Sequence, residues 1–289
     1  FGSMFITNDV SLLTFVPFTF VVLSGLAPDT RRALTIPVVC MQTIAANLGS
    51  MLTPIGNPQN LYLYGKSGMR MAEFLLLMFP YTVVSLLLLV GWAVAVCRKQ
   101  ASASIGIFPE QQNITADRKI ILLDAVLFAV CLLAVVRVLP YGVAFAAVLV
   151  CTLCADRSTL RNVDYSLLLT FVAFFVFIGN LGRIPAFSGW LQAILAGREV
   201  LVAVLASQVI SNVPAALLLS GFTDETAALI IGTNLGGLGT LIASMASLIS
   251  YRQIARELPE EKDLYFKLFT LSNLIFLVIL LAEWRILGR

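Results

Sequence analysis

One stretch of this chain decides its fold: ANLGSMLTPIGNPQN, residues 46–60. It lies within an apolar segment, residues 34–65, that exceeds the roughly 20 residues a helix needs to cross a membrane. Glycines and prolines interrupt this helix in its middle, and unpaired backbone groups at such a break are costly in hydrocarbon. We therefore expect a discontinuous membrane helix whose break lines a polar cavity or is satisfied by other groups.

The composition of the whole chain also indicates a bilayer as its surroundings. Of the 289 residues, 59% are hydrophobic and 12% are charged, whereas soluble domains carry about 25% charged residues. The net charge is +3, and the basic residues form short clusters between apolar runs, so nucleic-acid binding is not expected. The chain has no histidine, and its five cysteines lie within or beside apolar stretches, so we expect no zinc or redox site and no cofactor other than a coupling Na⁺ or H⁺.

The remaining apolar segments predict an all-α polytopic membrane protein with further interruptions. Residues 199–222 are broken by Ser211-Asn212-Val213-Pro214, and residues 226–250 are broken by three glycines. Residues 187–196 place apolar side chains at helical spacing, which is typical of a helix lying in the membrane interface. The other predicted elements are residues 10–26, 72–97, 119–139, 141–155, 164–182 and 267–288, with residues 98–118 as a cytoplasmic linker.

Two elements of the first half of the chain recur in the second half. Asn47-Leu48-Gly49 aligns without gaps with Asn234-Leu235-Gly236. Upstream of these lie Thr7-Asn8 and Ser211-Asn212, respectively. Two shared elements in the same order indicate an internal repeat. Residues 1–97 are then the end of the first repeat, and residues 119–289 are the second.

The number of predicted crossings shows whether the two repeats have the same or the opposite orientation in the membrane. Five crossings separate Asn8 from Asn212, and because five is odd, the second element enters from the opposite side of the membrane. Inverted repeats with broken helices in corresponding positions are the best sequence indication of a transporter binding site. If residues 27–33 form a cytoplasmic loop, twelve of the 19 Lys and Arg residues lie inside and seven outside. This bias favours that orientation in a bacterial inner membrane.

The polar residues at the breaks and at the Ser/Thr-Asn elements are candidate ligands. Asparagine offers both an acceptor oxygen and two donors, while helix N-termini favour anions. The alternative, that small residues only allow tight helix packing, does not explain why the elements recur in pairs. The candidate substrate- or ion-binding residues are Thr7, Asn8, Asp9, Asn47, Gly49, Thr53, Gly56, Asn57, Asn60, Ser211, Asn212, Asn234, Gly236, Gly237 and Thr240.

Asp9 is a carboxylate with apolar residues on both sides. Ionisable residues inside the membrane are costly and usually functional. Asp9 could bind Na⁺, or it could carry a proton, because burial favours the neutral form of a carboxyl group. A Na⁺ ion would have Thr7, Asn8 and Asp9 as candidate ligands, and Ser211 and Asn212 form a second candidate set.

Taken together, these residues resemble the ion transporter superfamily, which includes arsenite permeases, citrate and dicarboxylate/sulfate symporters and one branch of Na⁺/H⁺ antiporters. The match covers nearly the whole chain in order and indicates a citrate transporter-like membrane domain. It rests on Thr7-Asn8-Asp9, residues 46–60, Ser211-Asn212-Val213-Pro214 and Asn234-Leu235-Gly236-Gly237. The Asn-Pro-Gln-Asn segment that ends the second of these is similar to the Gly-x-Pro-Pro-Asn variants of the superfamily.

The resemblance implies two re-entrant hairpins with tips at Thr7-Asn8 and Ser211-Asn212, and two helices unwound at 47–60 and 234–244. In the sodium-coupled relatives, each tip and its partner break form one cation site, with substrate bound between them. Those relatives are dimers that carry the binding domain across the membrane in an elevator fashion.

The same resemblance predicts which parts of this chain would move. Hairpin one with residues 34–97 and hairpin two with residues 226–288 would move, and residues 119–182 would form half of the scaffold. The first arm of hairpin one and the other half of the scaffold are expected upstream of residue 1, which would make the chain N-terminally incomplete.

The leading hypothesis is a secondary permease for an anion or oxyanion, such as arsenite or a carboxylate, coupled to H⁺ or Na⁺. The tips read Thr-Asn-Asp and Ser-Asn-Val rather than the Ser-Asn-Thr of the carboxylate symporters. The Asn8-Asp9 pair is similar to the tip of the arsenite-permease branch, which also carries Asn-Asp. This difference favours proton or single-cation coupling. The alternative is a Na⁺/H⁺ antiporter that uses Asp9. An enzyme is not expected, because the spans hold no histidine, acid pair or activated nucleophile.

Overall fold

The computed structural model describes residues 1–99, 118–155, 157–161, 163 and 165–288, so the predicted linker 98–118 lies almost wholly outside the described residues. Within the described part of the chain the elements are helices, with no strand among them. Three of these helices are long and apolar enough to cross a membrane: Pro28–Ser50, Met71–Arg98 and Pro259–Leu287. The prediction of an all-α polytopic membrane protein is confirmed.

The helices follow one another with short connections. In the first part of the chain they are α1 (Ser3–Ile6), α2 (Asn8–Ser24), α3 (Pro28–Ser50), α4 (Pro58–Ser67) and α5 (Met71–Lys99). The middle part holds α6 (Arg118–Val135), α7 (Tyr141–Ala155), α8 (Arg157–Arg161), α9 (Tyr165–Leu181) and α10 (Pro185–Leu195). The last part holds α11 (Glu199–Ile210), α12 (Asn212–Leu219), α13 (Thr226–Leu235), α14 (Met245–Glu257) and α15 (Lys262–Leu287).

Several helix boundaries differ from the predicted ones at their charged ends. The predicted loop 27–33 is wrong, because Pro28 occupies the first turn of α3 and Asp29 follows it. Proline suits the first helical turn, and a carboxylate there is stabilised by the positive end of the helix dipole. Polar and charged residues likewise extend α14 beyond residue 250 and begin α15 before residue 267. Apolar patterns reveal only the part of a helix that lies in hydrocarbon.

The described residues cluster into two compact units, and the first of them contains residues 1–99 and 177–288. Its apolar core is formed by α2, α3, α14 and α15, and Tyr265 stacks on Phe269 with their ring centroids 5.7 Å apart. The buried residues of this core are Leu12, Val16, Ile36, Val39, Cys40, Ala46, Ala246, Ile254, Tyr265 and Phe269. The core therefore holds together helices that end or begin at both predicted breaks.

The second unit, residues 118–176, contains α6, α7, α8 and most of α9. A turn ends α6 at Val135, earlier than the predicted residue 139, because Arg137 adopts φ 63° and the amides of Val138 and Leu139 both bond to the carbonyl of Leu133. α7 runs over Tyr141–Ala155, as predicted. Val138 is 72% exposed, and outward apolar side chains of this kind suit contact with lipid.

The amphipathic segment forms α10 in the first unit. Leu191 and Leu195 are buried, whereas Trp190 is exposed. Phe187 packs on Phe222 at the end of hairpin two, with ring centroids 5.8 Å apart. The position of this helix in the membrane interface stays a prediction.

Candidate functional site

The two hairpins turn through the same unusual backbone conformation. Thr7, between α1 and α2, has φ 65° and ψ 153°, and Ser211, between α11 and α12, has φ 71° and ψ 154°. Among the described non-glycine residues only Arg137 also has a positive φ. Such conformations are costly and tend to occur at functional sites. The two Ser/Thr-Asn elements thus have the same local structure.

The two broken helices also share one local structure. A single turn of 3₁₀ helix, Pro54–Gly56, occupies the first break, and Leu241–Ala243 occupies the second. The residues that flank these turns are extended: Thr53 and Asn57 in the first break, Thr240 and Ser244 in the second. Asn57 has φ −142° and ψ 146°, and Ser244 has φ −143° and ψ 140°. These matches follow the register of the sequence alignment that pairs Asn47 with Asn234.

Asn47, near the end of α3, joins the first break to the hairpin and to the second break. Its Oδ1 accepts hydrogen bonds from Ser244 Oγ at 2.9 Å and from Asn8 Nδ2 at 3.2 Å. Its Nδ2 donates to the carbonyl of Gly237 at 3.4 Å and to Ser247 Oγ at 3.5 Å. Asn47 is therefore fully engaged by groups from hairpin one and from the start of α14.

Asn234, near the end of α13, makes the matching contacts with the first break. Its Nδ2 donates to Asn60 Oδ1 at 2.6 Å, and its Oδ1 accepts from Asn57 Nδ2 at 3.3 Å. In the repeat alignment Asn57 corresponds to Ser244 and Asn60 to Ser247. Each asparagine thus bonds the same two positions of the opposite break, which is the reciprocity that a two-fold relation between the breaks produces.

The glycines of the breaks are in tight contact with the hairpins. A Cβ on Gly49 would lie 2.8 Å from Ser3 Oγ, and a Cβ on Gly236 would lie 2.6 Å from Ser207 Oγ. A Cβ on Gly237 would lie 3.0 Å from Asn212 Nδ2. The hairpin arms therefore pack directly against the backbone of each break.

The threonines of the two breaks also contact the hairpins in matching ways. Thr53 Oγ1 donates to the carbonyl of Met4 at 2.5 Å, and Thr240 Oγ1 donates to the carbonyl of Gln208 at 3.2 Å. Ser211 makes longer contacts, with its Oγ 3.4 Å from the carbonyl of Ala243. The structure brings these predicted residues to the breaks, and whether they bind a ligand stays a prediction.

The site is polar but contains no buried cationic side chain among the described residues. Among the described residues no Lys or Arg side chain is buried, and Glu199 is the one buried charged residue. Four helices, α2, α4, α12 and α14, begin at the hairpin tips and breaks. Helix N-termini carry a partial positive charge and attract anions. An anion can therefore be held here by amide and hydroxyl donors and helix dipoles instead of by a cationic side chain.

Asp9 is the carboxylate at this site. It is half-buried in the first turn of α2, and its Oδ1 has no hydrogen-bond partner among the described residues. The same holds for Asn57 Oδ1. Buried polar atoms are normally hydrogen-bonded, so unpartnered oxygens in this region are available to a bound cation or proton. The described residues contain no group of three or more His, Cys, Asp or Glu side chains that would hold a metal ion.

Sequence reasoning missed three residues that complete the site: Gln208, Ser244 and Ser247. The alignment of the two breaks contained the signal for the serines, because it places them opposite Asn57 and Asn60. Gln208 had no such signal, since its counterpart in the first hairpin is Met4.

Comparison with known proteins gives the family. The model of the citrate transporter family matches residues 1–229. The chain is 34% identical over 263 residues to "Inner membrane protein YbiR" of Escherichia coli, and the aligned region covers 86% of this chain and 66% of that protein. It is 33% identical over 262 residues to "Uncharacterized transporter MJ0456" of Methanocaldococcus jannaschii, and the aligned region covers 87% of this chain and 67% of that protein. The chain thus spans about two thirds of the length of these relatives, and it belongs to the citrate transporter family of membrane proteins.

Proposed function

We propose that this protein is a secondary active transporter of a small anion, coupled to Na⁺ or H⁺, in the inner membrane. The observation that carries the proposal is the reciprocal bonding of Asn47 and Asn234 between the two breaks. Broken helices are tolerated in a membrane where they line a water-filled cavity or are buried in protein, and broken helices in corresponding positions of two repeats are typical of transporter binding sites. The membership of the citrate transporter family supports the same conclusion.

The substrate is an anion or oxyanion, with carboxylates and arsenite as the candidates. The absence of a buried Lys or Arg among the described residues argues for recognition by asparagine and serine donors and by helix N-termini. The family name supports a carboxylate such as citrate. The Asn8-Asp9 tip, which is similar to the arsenite-permease branch, supports the oxyanion.

The coupling cation binds at hairpin one, with Thr7, Asn8 and Asp9 as its ligands. The unpartnered Oδ1 of Asp9 supports this assignment. A cation there also neutralises the carboxylate before an anion enters beside it. A Na⁺/H⁺ antiporter that exchanges ions on Asp9 is the second candidate, and the same unpartnered oxygen favours it.

Transport proceeds by alternating access, in which the hairpins and breaks move as one body in an elevator fashion. The clustering of residues 1–99 and 177–288 apart from residues 118–176 supports a moving part and a separate scaffold. The inverted sense of the repeat and a homodimeric assembly remain part of this proposal.

The test is ligand-induced thermal stabilisation of the purified full-length protein, with Na⁺ compared with K⁺ at two pH values and with a panel of carboxylates and oxyanions. A ligand at 100 times its Kd stabilises the folded state by about 2.7 kcal/mol. We expect stabilisation by the cation that grows when one anion is added, and we expect it to disappear in Asp9→Asn. Asp29→Asn, at an exposed carboxylate in the first turn of α3, is the matched control. Stabilisation by Na⁺ that ignores every anion would instead support the antiporter.

A further inference from the structure

The side chain of Gln208 is bound inside the second break by groups that surround one nitrogen. Gln208 Nε2 lies 2.9 Å from the carbonyl oxygen of Leu238, 3.0 Å from that of Gly236 and 3.2 Å from that of Val204. A side-chain amide has two hydrogens to donate, so three carbonyl oxygens share two protons. A ring of carbonyl oxygens around one electropositive atom is also the arrangement in which proteins bind hard cations.

The rest of the second break is built around this side chain. Gln208 Oε1 accepts a hydrogen bond from the amide of Thr240 at 2.9 Å. Gly239 adopts φ 108°, and a Cβ there would lie 2.3 Å from Gln208 Oε1. Only glycine fits this backbone conformation and this distance. The absence of a side chain at Gly239 therefore leaves the room that the Gln208 amide fills.

The hairpin beside the first break has no equivalent of this amide. Met4 holds the position that corresponds to Gln208, and only its backbone carbonyl contacts Thr53. The carbonyls of the first break instead receive long contacts from Asn60, at 3.4 Å from the Ser50 and Thr53 oxygens and 3.5 Å from the Met51 oxygen. These distances are beyond the usual range for a strong N–H···O bond. The oxygens of the first break are therefore less fully satisfied than those of the second.

The two hairpins also differ in charge. Asp9 follows the tip asparagine in hairpin one, and Val213 holds the corresponding position in hairpin two. Hairpin one has a carboxylate but no side-chain amide at this position, and hairpin two has the side-chain amide but no carboxylate. One hairpin thus attracts a cation, while the other already has an uncharged group in the place where a cation would bind.

We propose that Gln208 replaces a bound cation in the second break, so that the transporter binds its coupling cation at hairpin one alone. This inference rests on the proposed function, because it takes the first hairpin as the cation site. Gln208 acts as a positioning residue: it keeps the unwound carbonyls of α13 in place through the whole transport cycle without adding charge. A transporter built in this way couples each anion to one cation at the hairpins instead of two.

The first experiment measures the number of Na⁺ ions bound per chain by the wild-type full-length protein, by isothermal titration and by ²²Na⁺ binding, each in the presence of citrate and, separately, of arsenite. We expect at most one, with an apparent Hill slope near one. Two bound ions, or a Hill slope near two, would overturn the inference without affecting the proposed function. This measurement needs no variant and is therefore independent of folding defects.

The second experiment uses Gln208→Glu, which places a carboxylate among three carbonyl oxygens. Mutual repulsion of these oxygens makes the folded state require a cation at the second break. We expect the thermal stability of the variant to become strongly dependent on Na⁺ or K⁺, and we expect this dependence to persist when Asp9→Asn is added. If Gln208→Glu folds and shows no new cation dependence, the inference is wrong. If Asp9→Asn alone leaves the wild-type cation response intact, the cation assignment in the proposed function fails instead.

Gln42→Glu is the matched control. Gln42 is also a partly buried glutamine, but its Nε2 donates to the hydroxyl of Thr19 at 2.6 Å and lies 3.4 Å from the carbonyl oxygen of Phe15. The Thr19 hydroxyl donates to the carbonyl of Phe15 and can turn to donate to a carboxylate instead. Because one carbonyl oxygen repels a carboxylate less than three do, this variant should gain little or no cation dependence. A gain of the same size in both variants would mean that any added carboxylate produces the effect, and it would count against the inference.

Discussion

The first break depends on a glycine that no other residue can replace, and this gives the sharpest prediction for the fold. A Cβ on Gly56 would lie 2.0 Å from the carbonyl oxygen of Ser50, 2.7 Å from its carbonyl carbon and 2.8 Å from its Cα. These are backbone atoms at the end of α3, so they cannot move aside as a flexible side chain would. Gly65, in α4, has nothing within 4 Å of the position that a Cβ would take, and it serves as the control.

The two alanine variants should change stability in opposite directions. Carbon atoms pack at about 3.5–4.0 Å, so Gly56→Ala must move the 3₁₀ turn from α3 by more than about 1 Å. Forced overpacking costs about 1–3 kcal/mol, and the upper end applies because the obstacle is backbone. Gly65→Ala should instead stabilise α4 by about 0.5–1 kcal/mol, since alanine loses less backbone entropy in a helix. The expected difference in the free energy of unfolding between the two variants is about 3.5–4 kcal/mol.

The assay is thermal unfolding of the full-length protein in detergent, followed with and without the anion and cation found by the titrations above. Gly56→Ala should unfold at a lower temperature than wild type and lose its response to ligand, because Asn57 and Asn60 move with the turn. Gly65→Ala should match or exceed wild type and keep that response. Equal unfolding temperatures for the two variants would refute the claim that this turn packs against the end of α3.

Two further predictions concern bonds between segments that are distant in sequence. Asn234→Ala should lower the unfolding temperature through a loss of about 1–2 kcal/mol, because Asn57 and Asn60 lose their shared partner; an unchanged unfolding temperature would contradict the reciprocal arrangement. Tyr265→Phe removes one member of a hydroxyl cluster of Thr43, Ser250 and Tyr265, in which the Tyr265 hydroxyl lies 3.2 Å from Thr43 Oγ1 and also bonds Ser250, and it should cost about 1 kcal/mol. Ligand-induced stabilisation of that variant should equal that of wild type, and a lost ligand response would show that the hydroxyl cluster belongs to the binding site.

The sequence alone determined the class of structure and the location of its interruptions. A chain this apolar has few ways to satisfy its backbone outside helices, so the segments at 46–60 and 226–250 had to be broken helices if they crossed at all. The recurrence of Asn-Leu-Gly gave the correct register between the breaks, because Asn57 and Ser244 have nearly the same backbone angles.

Helix ends and bonding partners were decided by the tertiary structure. The start of α3 at Pro28 was not visible in the apolar pattern, because charged residues continue a helix beyond hydrocarbon. The position of Gln208 against the carbonyls of Gly236 and Leu238 depends on how α11 packs beside the second break. The apolar periodicity of the sequence shows which face of a helix is apolar, but it does not give the distance between segments that are far apart in the chain. For that reason the sequence showed which backbone groups would need partners, and only the packing of the helices showed which side chains supply them.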